Sequence, residues 1–171
     1  MSDDLSTTRD ELPLAFRRGP IDGLIVRTLK RHEDSRGWLV ELFRSDELPE
    51  GFKPEMAYVS ETLPGVSRGP HEHREQTDLF ACFGPGDLRL FAWDARPDSA
   101  TCGNRTELVM GTSNPAIVLV PPGVVHGYRN EGSVPALVFN APDRLYAGEG
   151  RREAVDEIRH EDRPDSPYLF D

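Results

Sequence analysis

Apolar and polar positions alternate along this chain in short stretches, and almost every stretch ends on a turn signal. Residues 23–29, 38–43, 56–62, 88–93, 106–110, 116–120 and 136–140 carry β-branched, aromatic and leucine side chains at the spacing of strands. Asp34-Ser35-Arg36-Gly37 is a turn that makes 38–43 the hairpin partner of 23–29, and Pro64-Gly65 and Gly84-Pro85-Gly86-Asp87 close two further strands. Residues 71–83 are expected to be extended, 94–104 a loop, and 127–130 a strand split from 136–140 by Glu131-Gly132-Ser133. No helical period runs through the chain before residue 150. The charged residues 151–160 are the one place where a short helix is expected. Seven or more short strands at this spacing imply an all-β sandwich or closed barrel. Residues 1–19 are polar and are expected to form an N-terminal arm, with 20–171 a single domain.

Composition supports this picture. Fifteen glycines and fifteen prolines in 171 residues favour short elements and tight turns, and 37% apolar content suffices for one core. A net charge of −10 argues against nucleic acid and anionic membrane as partners. Two cysteines, Cys82 and Cys102, make no disulfide framework and fit a reducing, cytoplasmic setting. The start, Met1-Ser2-Asp3-Asp4, is acidic where a secretory leader is basic, and no apolar run is long enough to span a bilayer.

Chemistry is concentrated in two segments. Three of the five histidines lie in Arg68-Gly69-Pro70-His71-Glu72-His73 and Pro121-Pro122-Gly123-Val124-Val125-His126. His71 and His73 are two apart and face one side of a strand. Asp78 follows five residues later, and His126 arrives on a separate strand after a tight turn. Three imidazoles and a carboxylate inside a barrel suit either of two tasks. They can hold a divalent metal (Fe, Mn, Ni or Zn) through His71, His73, Asp78 and His126, or they can do acid/base work. Trp38 and Trp93 are expected to pack in the core or an interface rather than stack on a ligand.

The two segments resemble the two motifs of the cupin superfamily: Gly65, His71, His73, Asp78 and Gly84 stand near the first motif's spacing, and Pro121 to Asn130 matches P-x-G-x-x-H-x-x-x-N. That resemblance implies a double-stranded β-helix jelly roll. A closer similarity, spanning roughly residues 20–165, is to the dTDP-4-dehydrorhamnose 3,5-epimerase family. Asp34-Ser35-Arg36-Gly37 with Glu41-Leu42-Phe43 is similar to its D-x-R-G…E-x-F opening, and Gly65-Val66-Ser67-Arg68-Gly69-Pro70-His71 to its G-V-x-R-G-x-H. Asp94-Ala95-Arg96-Pro97-Asp98-Ser99 is similar to D-x-R-x-x-S, Val125-His126-Gly127-Tyr128 to A-H-G-F, and residues 158–164 faintly to the closing I-x-W-x-D-P.

The resemblance implies an isomerase needing no cofactor, acting on a keto-deoxysugar nucleotide as a homodimer. His71 would be the general base that removes the proton alpha to a 4-keto group, with Asp162 polarising its imidazole and Tyr146 as general acid on the opposite face. Arg36, Glu41 and Arg68 would contact the sugar nucleotide, and His126 would line the pocket. The chain departs from the family at two positions. His73 stands where the family has Gln, and Asp78 where it has a Lys that stabilises the enolate. Met56 and Tyr58 also replace a nucleotide-positioning Gln and Asn. A carboxylate opposes an adjacent oxyanion unless it is protonated or bound to metal, and a cation at this place supplies what the Lys supplied. Two alternatives therefore stand beside the epimerase: a metal-dependent cupin acting on another small molecule, and a dTDP-sugar 3,4-ketoisomerase, whose R-G-x-H-A-H segment Arg68 to His73 also resembles. A third is a ligand-binding cupin without turnover.

Overall fold

The structure is a computed structural model, and residues 15–171 are described. Along the chain these form β1 (Arg17–Arg18), β2 (Ile25–Thr28), β3 (Arg31–Asp34), β4 (Gly37–Val40), β5 (Tyr58–Thr62), β6 (Ser67–Glu72) and β7 (Asp78–Cys82). They continue with β8 (Asp87–Asp94), β9 (Asn104–Gly111), β10 (Ala116–Val120), β11 (Val124–Arg129), β12 (Ala136–Asn140) and β13 (Ile158–Arg159). One sheet runs β1-β9-β8-β11-β6-β13, the other β2-β10-β7-β12-β5, and β3-β4 is a separate hairpin. Every pairing is antiparallel except β1 with β9. This is the jelly roll that the cupin resemblance implied.

The two sheets meet over Phe80, Leu88, Leu90, Val118, Val124 and Val138, all buried. Their outer faces are covered too. Leu79, Ala81, Ile117 and Leu119 lie under Leu42, Phe43, Leu48 and Phe52, and Phe91 and Trp93 lie under Tyr168 and Phe170. β7 and β10 are therefore apolar at nearly every position instead of alternating, because both faces are dry. Asp78 is the exception on β7, and it is buried with the rest.

The structure differs from the sequence reading in four places. β2 pairs with β10, and the hairpin partner of β4 is β3. Extended residues 71–83 are broken between β6 and β7, where the Asp156 carboxylate accepts the backbone N–H groups of Arg74, Glu75 and Gln76. No helix forms over 151–160. That segment spends its hydrogen bonds elsewhere: Asp156 caps the β6–β7 turn, and Ile158 and Arg159 pair with Glu72 and His71. Only a 3-10 turn, Glu149–Arg151, precedes it. Finally, Arg17 and Arg18, expected within an arm over 1–19, pair with β9; residues 1–14 of that expected arm lie outside the described residues.

Candidate functional site

His71 on β6 stands directly opposite His126 on β11 in the sheet register. The register then shifts between His126 and Tyr128, a bulge that re-aims side chains into the barrel. Gly69 permits the close approach of the two strands. Its φ is +79°, and a Cβ there would sit 2.8 Å from the His126 carbonyl oxygen. The turn before His126 is fastened to the first segment, because the Gly123 N–H donates to the His73 carbonyl at 2.8 Å. Asp78 comes from the other sheet, opposite Val120. The barrel thus brings His71, His73, Asp78 and His126 together, with one ligand-capable atom of each within 4.8 Å of all the others.

Each group is held differently. The Oδ2 of Asp78 lies 3.1 Å from His73 Nε2 and 3.2 Å from His126 Nε2. Its Oδ1 accepts from Gln76 Nε2 at 3.0 Å and Asn140 Nδ2 at 3.4 Å. His126 Nδ1 donates to the Val124 carbonyl at 3.0 Å, and His73 Nδ1 meets the Asp156 carbonyl. The distances at Asp78 Oδ2 are short, yet neither Oδ2 nor His126 Nε2 completes a directed hydrogen bond, and both are buried. His71 has no such carbonyl anchor; its Nδ1 is 3.9 Å from Glu157 Oε1.

The electrostatics divide the three imidazoles. Burial, and then the neighbouring His126 and His73, pull His71 down to about 2, so it is a neutral free base near pH 7. Burial works against a charge on His73 as well, but the Asp78 carboxylate and the Asp156 carbonyl outweigh it and raise His73 to about 8. Burial alone would raise Asp78; His126 and His73 overcome it and hold its carboxyl well below the usual carboxylate range.

His71, His73 and Asp78 line an open cleft of about 1510 Å³, above the roughly 300–1,000 Å³ that suffices for most small ligands. Arg68 lines it, held by Thr62 Oγ1 at 3.1 Å and the Glu61 carbonyl at 2.8 Å. Tyr146 lines it and is half-exposed. Tyr58 and Asn140 also line it, and the sequence reading did not assign them a role as acid or ligand holder. Asn140 Nδ2 donates to the Tyr58 hydroxyl at 2.6 Å, and burial followed by the Asp78 charge pushes that hydroxyl up to about 12. The alternation of β12 is the signal that could have found Asn140: Phe139 packs outward and Asn140 inward.

Four expected residues fall outside the cleft lining. His126, expected to line the pocket, is buried and does not reach it. Arg36 is bound to Asp34 at 2.6 Å on the tip of the β3–β4 hairpin, with its side chain 88% exposed. Glu41 follows β4 and is exposed. Asp162 pairs with Arg159 Nε at 3.2 Å and faces solvent, so the carboxylate beside His71 is that of Glu157. Asp94, Arg96 and Ser99, matched in the resemblance, serve the fold: Asp94 takes bonds from Arg96 Nε at 2.8 Å and Ser99 Oγ at 2.6 Å.

A jelly roll with this histidine-lined cleft is a cupin of the sugar-isomerase type. The sequence profile described as dTDP-4-dehydrorhamnose 3,5-epimerase matches residues 18–156, and the chain belongs to that family of sugar epimerases. It is 41% identical over 122 residues to the probable low-salt glycan biosynthesis epimerase Agl13 of Haloferax volcanii, covering 71% of this chain and 78% of that one. It is also 41% identical over 120 residues to the spore coat polysaccharide biosynthesis protein SpsL of Bacillus subtilis, covering 70% and 78%. Among solved structures, a dTDP sugar isomerase from Desulfovibrio desulfuricans superposes with a TM-score of 0.76 at 26% identity, covering 87% of this chain and 91% of that chain.

Proposed function

We propose that the chain epimerises a dTDP-4-keto-6-deoxyhexose-like sugar nucleotide by removing the proton alpha to the ketone, with His71 as the base. One observation carries this reading: His71 lines a cleft large enough for a nucleoside diphosphate sugar, with the Glu157 carboxylate 3.9 Å from its Nδ1. The ketone acidifies the neighbouring C–H, His71 takes the proton on one face, and an acid returns one on the other. Tyr146 is the acid in this reading, and Arg68 is the cation for the diphosphate. Glu157, rather than Asp162, is the carboxylate placed to steady the His71 imidazolium. Solvent deuterium incorporation at carbon, followed by NMR, tests it. His71→Ala should abolish exchange while the thermal midpoint stays put; exchange that survives His71→Ala would remove His71 from the reaction.

The homodimer is proposed on similar support. Trp38 and Leu39 on the β3–β4 hairpin, Val59 on β5 and Leu63 just after it are exposed apolar residues. A second copy would cover them, and light scattering reads the mass directly. A cytoplasmic location fits the unpaired thiols of Cys82 and Cys102; no helix among the described residues is long and apolar enough to cross a membrane.

A further inference from the structure

We propose that His73, Asp78 and His126 form a binding site for one divalent first-row transition-metal cation, and that His71 stands beside this site unligated. The case rests on how the three side chains are committed. His126 gives its Nδ1–H to the Val124 carbonyl, and His73 turns its Nδ1 to the Asp156 carbonyl. Asp78 spends Oδ1 on Gln76 and Asn140. Each residue therefore keeps one free donor atom, and the three free atoms converge. A ring N–H given to a backbone carbonyl is the arrangement that orients a histidine towards a metal through its other nitrogen.

The spacing fits the same reading. Ligand bonds of about 2.0–2.2 Å place adjacent octahedral ligands about 3.0 Å apart. Asp78 Oδ2 stands 3.1 Å from His73 Nε2 and 3.2 Å from His126 Nε2. Asp78 and His126 are 1% and 2% exposed, and their facing atoms complete no hydrogen bond. A buried carboxylate oxygen and a buried imidazole lone pair facing each other are mutually unfavourable unless something positive lies between them. Two imidazoles and one carboxylate on one face suit Mn, Fe, Co, Ni or Zn, and they leave positions open for oxygen ligands.

His71 lacks the carbonyl anchor that commits the other two imidazoles, and this separates base from ligands. The cation's role rests on the epimerase reading above. When His71 takes the alpha proton, the C–H electron pair moves to the keto oxygen; a cation held by Asp78, His73 and His126 would supply Lewis-acid stabilisation of that charge, the task for which the family resemblance assigns an ammonium. No oxidant or further reactant is needed, since the enolate is reprotonated at carbon.

The test uses untagged full-length protein stripped by chelator, dialysed, and titrated with Mn²⁺, Co²⁺ and Zn²⁺ in a calorimeter, with Co²⁺ absorption as a second readout. One equivalent per chain is expected. His126→Ala and the milder His73→Gln, which keeps a polar side chain of similar length, should each weaken binding by more than about 100-fold, beyond the 10–100-fold typical of outer-shell losses. His71→Ala should keep the full equivalent. Absence of saturable binding, or unchanged binding in His73→Gln, overturns the site; loss of binding in His71→Ala overturns the division between base and ligands. Binding with equally fast deuterium exchange in stripped and loaded enzyme overturns the electrophile role and leaves the site. Binding with no exchange on any 4-keto-sugar nucleotide overturns the epimerase reading, and with it that role alone.

Discussion

Asp156 and His73 are 83 residues apart in sequence and in direct contact in the fold: the Asp156 carbonyl meets His73 Nδ1, while its carboxylate caps the turn that follows His73. One residue therefore sets both the orientation of the imidazole and the break between β6 and β7. Asp78 reaches the cluster because of that break.

Asp156→Ala should act on both. Three backbone N–H groups lose a charged acceptor at 2.8–3.1 Å, which is expected to cost about 1–3 kcal/mol. The denaturation midpoint should fall accordingly with an unchanged slope. Turnover should fall further than stability, since the β6–β7 turn carries His73 and leads to Asp78. An activity loss no larger than that of an equally destabilising core variant would show that the turn does not position the site.

Acid stability should report on Asp94. Burial opposes its charge, but bonds from Arg96, Ser99 and Thr101 win and depress its carboxyl well below the ordinary 3.8. A depressed carboxyl contributes stability that is fully present above the unfolded value and is lost as pH falls through the folded one. Wild type should therefore exceed Asp94→Asn in thermal midpoint by a constant margin from pH 7 down to about pH 4. The margin should then shrink on further acidification. A margin independent of pH down to pH 2 would mean that shape, and not charge, holds the 94–104 loop.

The β-rich fold and the meeting of His71 with His126 were legible in sequence, since short alternating stretches and two turn-bounded histidine segments are local signals. What escaped was set by distant contacts. Residues 151–160 contain good helix formers, yet Asp156 and Ile158 do more by serving β6 than a lone helix would gain. Asp162 looked like the partner of His71 because of its place in a faint motif, whereas the β13 pairing puts Glu157 at that ring. The alternation of β12 puts Asn140 on an inward face, but only its pairing beside β7 brings that face to Asp78.

Arg36 offers a test of assembly. It matches a substrate-binding position of the family, yet it sits on an exposed hairpin tip away from its own cleft. In a two-fold dimer, such a residue can serve the partner's cleft. Mixing inactive Arg36→Ala with inactive His71→Ala should then restore about a quarter of wild-type activity, because half of random dimers are mixed and each has one intact site of two. No recovery on mixing, with subunit exchange shown by mass, would place Arg36 outside catalysis or within its own subunit's reach.

The pair His73 and Asp78 should behave as one unit. Replacing both by the residues that the family resemblance assigns there, as His73→Gln with Asp78→Lys, removes two of the three proposed ligands and returns an ammonium to the position where the enolate charge develops. That double variant should bind no divalent cation, and its deuterium exchange should be indifferent to chelator. Asp78→Lys alone should fare worse, because it sets an ammonium against the His73 ring, whose Nε2 lies 3.1 Å from Asp78 Oδ2. Lysine at a site 1% exposed also lengthens a packed side chain, at about 1–3 kcal/mol. A non-additive recovery in the double variant, read as exchange rate beside thermal midpoint, is the expected coupling of contacting residues. If the two effects simply add, the departures at 73 and 78 arose independently, and the electrophile of this enzyme lies elsewhere in the cleft.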